Sequence, residues 1–200
     1  MLPGLLSLAI AYLMGGIPFG YLLVRLSTGK DVRTSGSGNI GATNVLRTTG
    51  RGVAVVTLLL DIAKGFVSVW IAATLTGDDS WWTSAAALAV MAGHAYPVFL
   101  GFKGGKAVAS FIGAFLYLTP LPLFAVLVVF VAIVIATRYI SAGSVIAAGM
   151  FPLGVWLILH PPEPVLIAAL IAGAFIVARH RGNIERLHAG TESAFVWKGR

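Results

Sequence analysis

Three polar, glycine-rich segments hold the side chains of this sequence most able to do chemistry. The first runs from Ser35 to Asn44, SGSGNIGATN, and is followed by Arg47 and Arg51. Glycine lets backbone come close to a ligand, and consecutive N–H groups can close around an anion. Ser37, Gly38, Asn39, Gly41, Thr43 and Asn44 offer neutral donors there. Arg47 and Arg51 are four apart and would share one face of a helix. Such a set suits phosphate, although it is not a Walker A loop. The plainer reading is a flexible connection that carries membrane-surface arginines.

The second segment, Gly93 to Lys106, reads GHAYPVFLGFKGGK and leads into an apolar run. Gly104, Gly105 and Lys106 at a helix start would place a cation beside N–H groups, again an anion site. Lys103 fits a snorkelling anchor, and His94 fits a hydrogen-bonded interior histidine. The third segment, Arg179 to Glu192, is RHRGNIERLHAGTE, with His180 and Asn183 at i and i+3. Ser141 to Ser144 forms a weaker fourth cluster, with Ser144 as its candidate.

Asp61 and Lys64 stand apart, ~14 and ~18 Å into an apolar run at 1.5 Å per residue. A charge inside a membrane segment is a functional candidate by default. No other ionisable group is expected at that depth, so the pair is read as fixing helix packing. No H-E-x-x-H or comparable ligand cluster occurs, so no metal or other cofactor is expected. A G-x-S-x-G elbow is absent. The nearest approach to an H-x4-D acyltransferase signature, His180 to Glu185, has the wrong acid.

These segments need elements to hold them. Of the 200 residues, 58% are hydrophobic and 10% charged, and mean hydropathy is +0.93. A soluble domain carries about 25% charged residues, so lipid has to be the solvent. The fold class expected is an all-α, polytopic membrane protein, one integral membrane domain over 1–200. With no cysteine, disulfides and thiolate sites do not arise. The first 25 residues lack a basic n-region and read as a spanning helix, not a cleaved signal.

Apolar runs near 2–24, 52–74, 83–100, 107–118, 123–137, 144–159 and 165–178 suggest seven transmembrane helices. The last four fall short of the ~17 residues usual for a span. Taken as one helix, 107–137 would be roughly 46 Å long, and Pro120 and Pro122 invite a break. Charge favours the break. With seven spans every lysine and arginine except Lys64 falls on one side, Lys198 and Arg200 included, while Asp78, Asp79 and Glu163 fall on the other. Cytoplasmic loops are rich in Lys and Arg, so the N-terminus is placed outside and the C-terminus inside. Trp81, Trp82 and Trp156 then lie near outer ends, as an aromatic belt would.

The stretches SGNIGATN (37–44), GHAYPVFLGFKGGKAVA (93–109) and HRGNIERLHAGTE (180–192) resemble the bacterial acyl-phosphate:glycerol-3-phosphate acyltransferase family, PlsY. The resemblance spans the whole chain. It implies transfer of a fatty acyl group from acyl phosphate to the 1-position of sn-glycerol 3-phosphate. The products would be lysophosphatidate and inorganic phosphate, in the first step of bacterial phospholipid synthesis. It implies a multi-pass protein of the bacterial inner membrane with its active site on the cytoplasmic side. Candidate catalytic residues are His180, Asn183, Ser37 and Lys106. Substrate phosphate would be held by Ser37, Gly38, Asn39, Gly41, Thr43, Asn44, Arg47, Gly104, Gly105, Lys106, Ser144 and His180. Partners expected are the two substrates, membrane lipid and the enzyme that makes acyl phosphate; no nucleic acid is expected.

The residue types fit that chemistry. Two phosphate-bearing substrates would meet the cationic loops, while a fatty tail lies between helices. A mixed anhydride is already activated, so positioning and charge stabilisation could suffice. A transporter for an organic phosphate would use the same loops but needs a path to the short, acidic outer face. A structural scaffold leaves the glycine-rich loops without a purpose.

Overall fold

The computed structural model describes residues 1–195, which are helical with no strand. Lys198 and Arg200, counted above on the basic side, lie outside the described residues. In chain order the helices are α1 (Leu2–Gly16), α2 (Phe19–Thr28), α3 (Ala42–Thr49), α4 (Arg51–Thr76), α5 (Ser80–Ala95), α6 (Val108–Leu118), α7 (Pro120–Thr137), α8 (Ile140–Leu159), α9 (Glu163–Arg179) and α10 (Arg181–His188).

The boundaries have local causes. Pro18 removes an amide and forces Ile17 into extended backbone, which separates α1 from α2. Gly29 and Gly77, both in the left-handed region, end α2 and α4. Asp79 caps α5 by accepting from the amides of Trp81 and Trp82, at 2.9 and 3.2 Å. Pro120 stands in the first turn of α7, where its missing N–H costs nothing. The break expected at 119–122 is therefore there, with the prolines starting a helix instead of filling a gap.

Five helical segments are long and apolar enough to cross a membrane: Leu2–Thr28, Arg51–Thr76, Ser80–Leu100, Pro120–Thr137 and Ile140–Leu159. Glu163–Arg179 and Arg181–His188, bent by 55°, make a sixth when taken together. The run expected at 107–118 is an 11-residue helix, roughly 17 Å long, too short to span by itself. Within the third polar segment, Arg181–His188 forms α10.

The chain forms two compact units, Met1–Ala114 and a second from Phe115 onward. In the first, α1 packs on α4 and α5. Two reciprocal glycine pairs set the spacing. Gly15 lies on the carbonyl of Val90 and Gly93 on that of Tyr12; Gly65 lies on the carbonyl of Ser110 and Gly113 on that of Ile62. A Cβ at any of the four would collide with backbone, so α1 and α5, and α4 and α6, meet main chain to main chain as membrane helices often do. In the second unit α8 packs on α7 and α9, and Phe115 meets Phe151 edge-on at 4.8 Å. Large apolar side chains such as Val128 and Ile135 stay exposed, as suits a helix facing lipid.

Candidate functional site

In the first unit the 31–44 loop is built around one side chain. Asn44 is 1% exposed. Its amide nitrogen donates to the carbonyls of Val32, Ser35 and Asn39 at 3.1, 3.0 and 2.8 Å, and its oxygen accepts from the Ser37 amide at 2.8 Å. Two N–H groups serving three carbonyls means one bond is shared. Asn39 repeats the trick locally, accepting from the Gly41 amide at 2.8 Å. Gly36 has φ +59, and a Cβ there would strike the Asn44 oxygen, so only glycine closes this turn. Below the loop Val24, Val32, Ile40, Val45 and Ala54 form a small core, with Leu100 packed against it.

Asn44 was expected to bind phosphate; its polar side-chain atoms are instead spent on the loop backbone. The amides of Ser37, Gly38 and Gly41 are likewise engaged inside the loop. The hydroxyls of Ser37 and Thr43 make no hydrogen bond within the described residues. Arg47 lies in the last turn of α3 and Arg51 opens α4, with Gly50 at φ +95 between the two helices, so the two do not share one helical face.

The Gly104–Lys106 segment rests on His94. The amides of Gly104 and Gly105 donate to the carbonyls of Ala95 and His94 at 3.1 and 3.0 Å. They were expected as donors to phosphate; what these glycines provide is close approach. A Cβ on Gly104 would meet the His94 carbonyl, and one on Gly105 the His94 Nε2. Ala107 then turns the chain into α6 with φ +61, a strained value for a residue with a Cβ.

Asp61 and Lys64 do have a partner at their depth, contrary to expectation. His94 Nδ1 lies 3.7 Å from Asp61 Oδ1 and 3.3 Å from Ser110 Oγ. Lys64 Nζ lies 2.8 Å from the same Oδ1, but that oxygen accepts no aligned hydrogen bond. The directed bond of Nζ goes to the carbonyl of Ile17, 2.9 Å away, at the α1–α2 break.

In the second unit His180 is the bend between α9 and α10 and is 3% exposed. Its Nδ1 lies 2.8 Å from the carbonyl of Ile176. A carbonyl only accepts, so Nδ1 carries a proton, and whenever the ring is neutral Nε2 is the nitrogen without one. The His180 carbonyl accepts from the Asn183 amide at 2.8 Å. Asn183 in turn donates through Nδ2 to Glu192 Oε1 at 2.7 Å, as does Ser141 Oγ at 2.7 Å. Arg186 Nε donates to Oε2 at 2.7 Å. Burial opposes charge on Glu192, but these three donors outweigh it and hold the carboxyl below its ordinary value. Ser144, one turn from Ser141, donates to the Ile140 carbonyl at 2.9 Å. Glu185 is exposed and pairs with Arg181 at 3.1 Å.

Sequence reasoning missed Glu192 as the tie between α8 and α10. The available signal was an acid set in a basic segment. Among the described residues no three His, Asp or Glu side chains converge as a metal would need.

A family model described as glycerol-3-phosphate acyltransferase matches residues 5–190. A glycerol-3-phosphate acyltransferase of Geobacter sulfurreducens is 49% identical over 98% of this chain and 99% of its own. One from Trichlorobacter lovleyi is 47% identical, again over 98% of this chain and 99% of its own. The fold matches crystal structures of PlsY (YgiH), an integral membrane glycerol 3-phosphate acyltransferase. Its glycerol 3-phosphate form aligns with TM-score 0.91 and 40% identity, over 96% of each chain. Its lysophosphatidic acid form aligns with TM-score 0.88 and 39% identity, over 97% of this chain and 96% of that one.

Proposed function

Because this chain belongs to the glycerol-3-phosphate acyltransferase family, we propose that its acyl donor is acyl phosphate and that it acylates the 1-position of sn-glycerol 3-phosphate. The observation that carries the reading is the pair of forms of one close structural neighbour, with glycerol 3-phosphate and with lysophosphatidic acid. These differ by one acyl group on a hydroxyl. The donor rests on the three motif resemblances and on the chemistry of the loops.

In the proposed step the glycerol hydroxyl oxygen attacks the acyl carbonyl carbon. The bond from that carbon to the phosphate oxygen breaks, and inorganic phosphate leaves with the electron pair. Phosphate is a good leaving group, so the protein's part is charge neutralisation and alignment. Arg47 and Lys106 neutralise substrate phosphate, with the hydroxyls of Ser37 and Thr43 as neutral donors. Asn44, Gly104 and Gly105 shape the loops rather than donate. His180 and Asn183 orient substrate, and a substrate phosphate accepts the hydroxyl proton. No metal is needed. The reaction would take place at the cytoplasmic face of a bacterial inner membrane, by the one-sided lysines and arginines, beside the enzyme that supplies acyl phosphate.

Purified protein given acyl phosphate and glycerol 3-phosphate should release inorganic phosphate in step with lysophosphatidate, in the presence of chelator. Comparable turnover with acyl-CoA would remove the donor assignment. In the same assay Arg47→Ala and Lys106→Ala should each lose roughly tenfold or more in kcat/KM, from charged contacts of ~1.5–3 kcal/mol. His180→Asn, which still hydrogen-bonds, should retain activity that His180→Ala loses. Equal loss in both, with glycerol 3-phosphate binding intact, would make histidine the general base. Single cysteines at Ser80 and Ser193, in this cysteine-free chain, should label from opposite sides of the membrane.

A further inference from the structure

Four buried polar residues stand behind the Lys106 segment with no part in the reaction above. Asp61 and Lys64 come from the middle of α4, His94 from the end of α5 and Ser110 from the first turn of α6, each 4% exposed or less. We propose that these four are positioning residues for Lys106, fixing the height and angle at which its ammonium meets substrate phosphate. The proposal rests on the reading that Lys106 holds that phosphate.

The geometry excludes a catalytic relay. In a serine–histidine–acid arrangement the ring bridges the other two through different nitrogens. Here Ser110 Oγ and Asp61 Oδ1 both face Nδ1, at 3.3 and 3.7 Å. The opposite edge, Nε2, abuts the Cα of Gly105. The ring is thus held on one side by the acid and the hydroxyl and bears on the Gly104–Gly105 backbone with the other. The His94 carbonyl fixes the same backbone by accepting from Gly105 at 3.0 Å.

Beyond Lys106 the chain is pinned again, because Gly65, next to Lys64, takes the Ser110 carbonyl against α4. Lys106 is therefore clamped before and after, and the left-handed Ala107 lies inside the clamp. Lys64 closes the assembly by holding the Ile17 carbonyl at 2.9 Å and lying over the Phe19 ring at 5.6 Å. So fully buried a polar set is expensive to keep merely as packing, because apolar residues of similar size would serve as well or better. A demand for fixed geometry accounts for it.

The test is a set of double-mutant cycles on the full-length protein in detergent. Asp61→Asn with Lys64→Met removes both charges together and leaves no unpaired ion to unfold the helix; His94→Leu removes the ring contact. Each is made with Lys106 present and with Lys106→Ala, and kcat/KM is read per folded protein beside the melting temperature. If the set acts through Lys106, each change costs about tenfold when Lys106 is present and less than about twofold when it is absent. The rise should lie mainly in KM for the phosphate substrate. Equal losses in both backgrounds, or a lowered melting temperature with kcat/KM unchanged, would overturn the proposal. If Lys106→Ala itself left the rate unaltered, the phosphate reading would fall first, and the cycles would report that separately. His94→Asn keeps a polar atom toward Asp61 and Ser110 but not the Gly105 contact; recovery of wild-type KM by that variant would also overturn it.

Discussion

Asp61 in the middle of α4 and Glu192 just past α10 both hold a carboxylate nearly out of water, 3% and 6% exposed, by different means. Both oxygens of Glu192 are occupied, by Ser141 and Asn183 on one and Arg186 on the other. Asp61 has an ammonium at 2.8 Å, yet its Oδ1 accepts no aligned bond. One carboxylate is held by directed hydrogen bonds, the other by proximity of charge. The first arrangement ties polypeptide segments together at a fixed distance. The second keeps two costly charges from harming the helix that carries them, and leaves the lysine free to bond elsewhere.

The contrast can be broken first at Asp61. Asp61→Leu strands the Lys64 charge and should cost about 3–5 kcal/mol, whereas replacing both partners by apolar residues should be close to neutral. Denaturant unfolding in one fixed detergent measures both. A single variant within ~1 kcal/mol of wild type would mean Lys64 does not depend on its acid. Glu192→Ala comes next, at about 2 kcal/mol, since charged hydrogen bonds are lost there. Glu192→Gln should regain only part of this, as its amide nitrogen cannot accept. Full recovery would show that shape, not charge, matters there.

A smaller effect separates the two by pH. The folded state holds Glu192 below its ordinary value of 4.5, so its charged form is favoured on folding. That stability is fully present above about pH 4.5 and is lost as pH falls through the depressed folded value. Melting temperature should decline more steeply below about pH 4.5 in wild type than in Glu192→Ala; parallel curves would remove the linkage. The least effect belongs to Asp31, whose exposed pairing with Arg33 at 2.6 Å lowers its pKa to about 2. Asp31→Asn should change stability by less than about 1 kcal/mol, as exposed pairs do; a larger loss would mark the 31–44 loop as more rigid than its surroundings imply.

Asp61 was conspicuous in the sequence because a charge in an apolar run has no camouflage, while Glu192 sat unnoticed in a polar tail. The helices were legible from apolar runs and prolines. The Ile17–Pro18 break inside the first run was not, since hydropathy stays high across it. The polar segments were legible as breaks between apolar runs, but neither the short helices α3 and α10 inside them nor the division of labour within them was. Glycine, asparagine and histidine have the same composition whether they face a phosphate or brace the backbone behind it. Asn44 shows why: only coordinates reveal that its amide is used up by carbonyls 5, 9 and 12 residues back.

The one-turn spacing of Asp61 and Lys64 also bears on biogenesis. A helix leaving the insertion machinery meets lipid before it meets its neighbours. An aspartate and a lysine at i and i+3 share one helix face, so α4 carries its own counter-ion within one turn. In the finished fold the lysine also bonds the Ile17 carbonyl, at the break in the first span. Exchanging Ala63 with Lys64 would keep composition and hydropathy but turn the ammonium off that face. The inserted fraction should fall, which puts the benefit of the pair in the chain's entry into the membrane as much as in its finished fold.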